Sequence, residues 1–142
     1  MKIIRQTNHD TCQQACIAML AGVEIETVIA LIGDRALGTN ERRKAFDRFE
    51  IAYPDGENGS VVGIVENPLV KLMREHRTLF CSVSDWKDPG WGHAVVIYEK
   101  HLYDPWRGID PDWPWTRHIW KAMEVEGPAT RLPRPPETGE RR

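Results

Sequence analysis

The chain has 142 residues, with 41% hydrophobic and 28% charged side chains and a formal net charge of −2 at pH 7, which is the composition of a globular domain with one core. The chain has no excess of basic residues, so we expect neither nucleic acid nor an anionic membrane as a partner. The apolar runs are too short to span a bilayer, the N-terminus turns polar early, and three cysteines cannot all pair within one chain, so we expect a cytoplasmic protein without membrane contact.

Helical signals begin the chain. Thr11 and Gln14 fit a capping box, and apolar residues follow them at once. The pattern predicts a helix over about residues 12–21, with Gly22 in the left-handed conformation after its end.

Three more helices and three strands are predicted further along. Apolar residues at helical spacing predict helices over residues 24–33, 40–51 and 67–76, of which the second carries a charged face. The hydrophobic period then changes to two and strand-forming residues dominate, which predicts strands over residues 78–84, 93–99 and 101–105. Helices first and strands later indicate an α+β domain with an antiparallel sheet.

The last part of the chain is less regular. Residues 115–125 fit either a helix or a mixed segment, and both alternatives stay open. From Gly127 the chain carries four prolines and few apolar side chains, which is typical of a tail that either packs along the surface or is disordered and flexible. We therefore predict one domain over residues 1–126 and a proline-rich tail over residues 127–142.

Of the two cysteines in the first predicted helix, Cys12 is the candidate nucleophile. A thiol reacts as the thiolate, which the unpaired N–H groups and the dipole of a helix N-terminus stabilise. Cys12 directly follows the predicted cap, whereas Cys16 lies one turn further in among apolar residues, where a cysteine behaves as a small buried hydrophobe. Gln6 precedes Cys12 by six residues, and its amide could join the Cys12 backbone N–H in an oxyanion hole.

His93 opens a predicted strand and is the natural general base for a thiol. A two-residue hairpin loop after that strand would place Tyr98 opposite His101. In this register Asp104 shares a face with His93 and could orient its imidazole ring and select its tautomer. Asp110, which stands in a similar Asp-Pro context, is the competing candidate.

The order of these residues resembles that of papain-like cysteine peptidases, most closely the bacteriocin-leader-processing peptidase domains and their stand-alone relatives. The matching pieces are Gln6, CQQACIAML at 12–20, GHAVVIY at 92–98 and YDP at 103–105. The resemblance implies a papain-like fold, in which a helix that bears the nucleophile packs on a small antiparallel sheet. The roles that it implies are Cys12 as nucleophile, His93 as base, Asp104 as orienting residue and Gln6 as oxyanion-hole donor.

The chain departs from this family at two positions and in one spacing. Thr11 and Gln13 stand beside the nucleophile where the family usually has Asp and Gly. The separation between His93 and Asp104 is also shorter than the family usually has. The Gln13 side chain would either crowd the oxyanion hole or contribute to it, which leaves the substrate open.

The predicted function is a cysteine-dependent hydrolase, first of all a peptidase, that acts on a protein or peptide and uses no metal and no cofactor. The same triad supports deamidase or isopeptidase activity. The alternatives from other classes are a catalytically inactive domain that binds a peptide or protein, and a metal site whose ligand set would be incomplete. The tryptophans assigned to a substrate groove are Trp86, Trp91 and Trp106, and the residues weighed for the metal site are Cys12, Cys16, His93 and Cys81.

Overall fold

The structure, a computed structural model, describes residues 1–54, 68–85, 88–112 and 117–132. Within these ranges four helices precede a five-stranded antiparallel sheet, and the α+β prediction is confirmed. The helices are α1 (Cys12–Ala21), α2 (Ile25–Ile32), α3 (Thr39–Arg48) and α4 (Pro68–Glu75). The strands are β1 (Thr78–Asp85), β2 (Asp88–Tyr98), β3 (His101–Asp104), β4 (Gly108–Ile109) and β5 (Arg117–Glu124).

α1 has the predicted bounds, but the contacts at its start differ from the prediction. The capping box is wrong, because the Thr11 hydroxyl oxygen accepts the backbone N–H groups of Thr7 at 2.8 Å and Asn8 at 3.1 Å in the turn before the helix. Gln14 is fully buried, and its amide instead donates to the carbonyls of Gly33 and Arg35 at 3.1 and 2.7 Å. A threonine committed to the preceding turn cannot also cap the helix that follows. At the other end, Gly22 takes the predicted left-handed conformation, with φ 75°.

The sheet has the strand order β4-β3-β2-β1-β5. β2 and β3 form a hairpin whose two turn residues, Glu99 and Lys100, have φ 46° and 70°, as a type I′ turn requires. Tyr98 pairs with His101 as predicted. β2 begins at Asp88, five residues before the predicted start, and the segment left open between a helix and a mixed segment forms β5 beside β1.

Two apolar clusters cover the two faces of the sheet. Side chains alternate between faces along a strand, and accordingly Val96 packs in the cluster with α1 to α3 while Val95 packs in the cluster with Leu72 of α4. All residues of α1 from Gln14 to Ala21 are buried, so this helix lies at the centre of the fold. Among the described helices, no single one is long and apolar enough to cross a bilayer.

The first residues of the predicted tail pack against α1. The Ala129 N–H donates to the Leu20 carbonyl at 2.9 Å, and Thr130 is fully buried with its hydroxyl oxygen 2.9 Å from the Gly127 N–H. A side chain at Gly127 would collide with the Leu20 carbonyl. The predicted boundary at 126 therefore falls inside a packed turn, and residues 133–142 of the predicted tail lie outside the described residues.

Candidate active site

The three cysteines lie in different environments. Cys12 is the first residue of α1 and is partly exposed, whereas Cys16 and Cys81 are fully buried. Burial raises the pKa of the Cys16 thiol well above its ordinary value, and it also raises the pKa of Cys81. Cys12 is thus the one cysteine of this chain that a solute can reach.

His93 of β2 and Asp104 of β3 form a buried pair. The His93 Nε2 lies 2.7 Å from the Asp104 Oδ1, and the two side chains are 2% and 0% exposed. The same carboxylate oxygen accepts the backbone N–H groups of Trp106 at 2.8 Å and Arg107 at 3.3 Å, in the turn after β3. These donors fix the carboxylate, and the carboxylate in turn fixes the plane of the imidazole ring.

The charges of this pair stabilise one another. Burial lowers the pKa of His93, but hydrogen bonds to Asp104 and Cys12 and the negative charges of both leave it above its ordinary value of 6.5. Burial raises the pKa of Asp104, but the His93 hydrogen bond and charge, with the two backbone N–H donors, hold it below 3.8. The folded protein therefore favours an imidazolium beside a carboxylate.

Cys12 completes the arrangement. Its thiol lies on the same cleft as the His93 ring and close enough to contribute to the raised pKa of that imidazole. Because Asp104 engages Nε2, the ring nitrogen left for the thiol is Nδ1. A thiol, an imidazole and a carboxylate from α1, β2 and β3 thus meet where the first helix reaches the sheet.

Cys12 and His93 open on a cleft of about 870 Å³, a volume within the range of ligand sites. Its walls come from the turn before α1, from α3 and from three strands. Its lining includes Asp10, Gln13, Arg42 and Lys121.

The N-terminus of α1 offers donors to this cleft. The first N–H groups of a helix have no partner within it, and Thr11 supplies no side-chain cap. Within the described ranges, no acceptor engages the backbone N–H of Cys12. This N–H belongs to the same residue as the thiol, so it is the backbone donor available for an oxyanion hole.

Gln6 lies beside this cleft. It lines a neighbouring depression of about 280 Å³ together with Trp106, and His9 lines both hollows. The Gln6 amide donates to the Asn8 carbonyl at 2.9 Å, and its Oε1 is buried without a hydrogen-bond donor among the described residues. One of its two N–H groups is thus committed to Asn8, and its part in an oxyanion hole stays a prediction.

Gln13, which stands where papain-like peptidases usually have Gly, makes a structural contact. Its amide donates to the Leu37 carbonyl at 2.9 Å. Together with the Gln14 bonds to Gly33 and Arg35, this contact anchors the loop between α2 and α3 to the start of α1. Gln13 therefore positions α3 along the cleft that it also lines.

The predicted aromatic groove is described in part. Trp106 is 45% exposed, and its ring packs on that of His9 with centroids 4.9 Å apart. Trp86 lies outside the described residues, as does the side chain of Trp91, whose backbone belongs to β2. Asp110, the competitor of Asp104, pairs with His101 at the other end of β3. In the described ranges, no group of His, Cys, Asp or Glu is arranged to hold a metal ion, so the metal alternative finds no geometric support there.

An N-terminal clamp, formed by Arg5 and Gln6, holds the turn after Asp104 and was not predicted. The Gln6 backbone N–H donates to the Pro105 carbonyl at 3.1 Å, and the Arg5 guanidinium donates to the Trp106 carbonyl at 2.6 Å. No local signal could have indicated it, because its two sides are about a hundred residues apart.

No family model, curated protein or solved structure matches this chain significantly.

Proposed function

We propose that this protein is a cysteine-dependent hydrolase of the papain-like type that acts as a peptidase. The observation that carries the proposal is the buried pair of His93 and Asp104 with the Cys12 thiol beside the same imidazole on one cleft. Structural histidines are common, but this one joins the single accessible thiol to a carboxylate that backbone donors hold in place.

The reaction follows from these positions. His93 takes the proton of Cys12, and the thiolate attacks the carbonyl carbon of the scissile amide, so that a carbon–sulfur bond forms. The charge that develops on the carbonyl oxygen is stabilised by the Cys12 N–H and, in this proposal, by the Gln6 amide. The imidazolium then protonates the amine, which leaves as the carbon–nitrogen bond breaks. Water, deprotonated by His93, hydrolyses the acyl-enzyme and frees the thiol.

The raised pKa of His93 suits the first step. An imidazolium is stable beside Asp104, and a thiolate that forms next to it gains a counter-charge. The partial burial of the site strengthens this attraction because little water screens it. Asp104 acts through His93, by orientation and charge, and does not itself exchange a proton.

Alkylation by iodoacetamide tests the proposal without a known substrate. We expect one equivalent to react rapidly at Cys12 in the native protein, as located by peptide mapping. The rate at neutral pH should fall by about 100-fold or more in His93→Ala, because the base and counter-charge are lost. His101→Ala is the matched control and should stay within about twofold of the wild type. Slow labelling that does not depend on His93 would contradict the proposal.

A second assay separates peptidase activity from deamidation. Unfolded proteins are incubated with the wild type or with Cys12→Ala and then examined by mass spectrometry. Peptidase activity predicts new chain termini that depend on Cys12. A mass increase of about one dalton at glutamine, without new termini, would instead assign the triad to deamidation.

A further inference from the structure

Arg42 is a buried cation on the wall of the Cys12 cleft. It lies in α3, is 8% exposed, and its guanidinium stacks over the Phe80 ring with 5.4 Å from Cζ to the centroid. The sequence places this residue on the charged face of a surface helix. The structure instead turns it inward, between that helix and β1.

This guanidinium has no anionic partner within the described parts of the chain. Its Nε is buried without a hydrogen-bond acceptor. By contrast, the more exposed Arg77 pairs with Glu99 at 2.8 Å. A buried unpaired charge is costly, and native proteins normally supply a counter-ion or an acceptor for it. The Arg42 side chain is therefore either poorly solvated in the free protein or completed by a ligand.

The surroundings favour an anion as that ligand. Lys121 lines the same cleft as Arg42, and Asp10 is the one acidic side chain among the described residues of its wall. Burial and then the neighbouring charge of Arg43 lower the pKa of the Arg42 guanidinium. An arginine nevertheless stays protonated at neutral pH. Excess positive charge thus faces the cavity in which Cys12 and His93 lie.

Stacking on an aromatic ring also prepares the group for one kind of anion. Contact with Phe80 restricts the guanidinium, whose paired N–H donors suit a planar anion. A carboxylate accepts two such bonds in the same plane. Anchoring of the preceding loop by Gln13 and Gln14 holds α3, and with it Arg42, in a defined place relative to Cys12.

We propose that Arg42 binds a carboxylate of the substrate, so that the hydrolase prefers peptides with a carboxylate close to the scissile bond. This inference rests on the proposed function, because it assigns the specificity of the same cleft. Arg42 is a specificity residue in this scheme, and Lys121 adds a second positive charge to the same wall. The carboxylate is that of an acidic side chain or of a chain terminus, and the experiments below distinguish these two sources.

Two reagents of nearly equal shape measure the preference. Iodoacetate carries a carboxylate where iodoacetamide carries a neutral amide, and both alkylate Cys12 with loss of iodide. We expect Arg42→Gln to lower the iodoacetate-to-iodoacetamide rate ratio by about tenfold or more. Arg43→Gln removes the same charge from the adjacent residue, which does not line the cleft, and should change the ratio by less than about twofold. An unchanged ratio in folded Arg42→Gln overturns the inference.

Arg42→Lys provides a second variant if the glutamine variant does not fold. It keeps the charge and loses the paired donors, so we expect an intermediate ratio. Failure of the two proposals looks different. If Cys12 alkylation by iodoacetamide does not depend on His93, the hydrolase proposal fails. If the alkylation depends on His93 but the iodoacetate-to-iodoacetamide rate ratio is unchanged in the Arg42 variants, only the specificity inference fails.

Protection of the wild-type protein identifies the source of the carboxylate. N-acetylglutamate α-amide carries only a side-chain carboxylate, N-acetylglutamine carries only a terminal one, and N-acetylglutamine amide carries neither. Slower iodoacetamide labelling of Cys12 with the first compound supports an acidic side chain as the ligand, and with the second compound a chain terminus. Equal protection by all three, including the neutral one, overturns the inference.

Discussion

Two histidine–aspartate pairs lie at opposite ends of β3, and they differ in burial more than in geometry. His93 and Asp104 are 2.7 Å apart with side chains 2% and 0% exposed. His101 and Asp110 are 2.5 Å apart with side chains 57% and 43% exposed. The comparison shows that a short contact between these residue types does not identify a catalytic pair. Burial and the presence of a third reactive group distinguish the first pair.

Both carboxylates accept backbone N–H groups, but these contacts hold different parts of the structure in place. Asp110 accepts the Leu102 N–H at 2.7 Å and takes φ 48°, so it fastens the turn after β4 to β3. Asp104 accepts N–H groups from Trp106 and Arg107, beside the ring that contacts Cys12. Asp110 therefore serves the hairpin, and Asp104 is the carboxylate that the thiol site can use.

The largest expected difference between the pairs is in stability. Asp104→Ala leaves a buried imidazole and two backbone donors without their acceptor, and we expect it to lower the free energy of unfolding by about 3 kcal/mol or more. Asp110→Ala removes an exposed contact and should cost about 1 kcal/mol. Urea denaturation of both variants near neutral pH measures the difference. Equal losses would show that burial does not separate the two pairs.

Local signals in the sequence account for most of the fold. Apolar spacing located all four described helices, and the two-residue turn fixed the β2–β3 register from which the His93–Asp104 contact follows. β4 has only two residues and shows no period. β5 loses its alternation because its pairing with β1 shifts by one residue between Ser82 and Val83. A bulge of this kind cannot be seen in one strand alone.

The site was predictable where it depends on local geometry. Cys12 follows from its place at a helix start, and Asp104 from the hairpin register. The surroundings of Gln6 depend on contacts with Pro105 and Trp106 at the far end of the chain. Arg42 was hidden for another reason, since a charged residue on a polar helix face is normally exposed. Only its packing on Phe80 shows otherwise.

The next difference is in pH dependence. Asp104→Asn keeps the size of the side chain but removes the charge that raises the pKa of His93. Alkylation of Cys12 near neutral pH should be slower in this variant, because less imidazolium is present to stabilise the thiolate, and the two rates should converge at alkaline pH, where the thiolate forms without that charge. Asp110→Asn should leave the profile in place. Rates of iodoacetamide labelling between about pH 5 and 10 provide the measurement, and a free thiol measured at the same pH values serves as the reference.

The stability of the folded protein should also depend on pH through His93 and Asp104, and the pKa shift of each residue gives the direction of that dependence. The raised pKa of His93 contributes stability that is complete below its unfolded pKa of about 6.5 and is lost as pH rises through the folded value. The lowered pKa of Asp104 contributes stability that is complete above its unfolded pKa of about 3.9 and is lost as pH falls through the folded value. The advantage of the wild type over Asp104→Asn should thus be largest between about pH 4 and 6.5. An advantage that stays the same below and above this range would contradict the charge pairing.

The smallest expected difference is in salt dependence. Exposed charges are screened over about 3 Å in 1 M salt, while buried pairs are screened far less. The coupling energy of His101 and Asp110, from a double-mutant cycle near pH 5.5, should therefore be below about 1 kcal/mol at low salt and fall toward zero in 1 M sodium chloride. The coupling of His93 and Asp104 should change little, because the two side chains are only 2% and 0% exposed. A coupling of the buried pair that falls as steeply as that of the exposed pair would mean that water and ions reach His93. In that case the low dielectric on which the proposed thiolate–imidazolium pair depends would be absent.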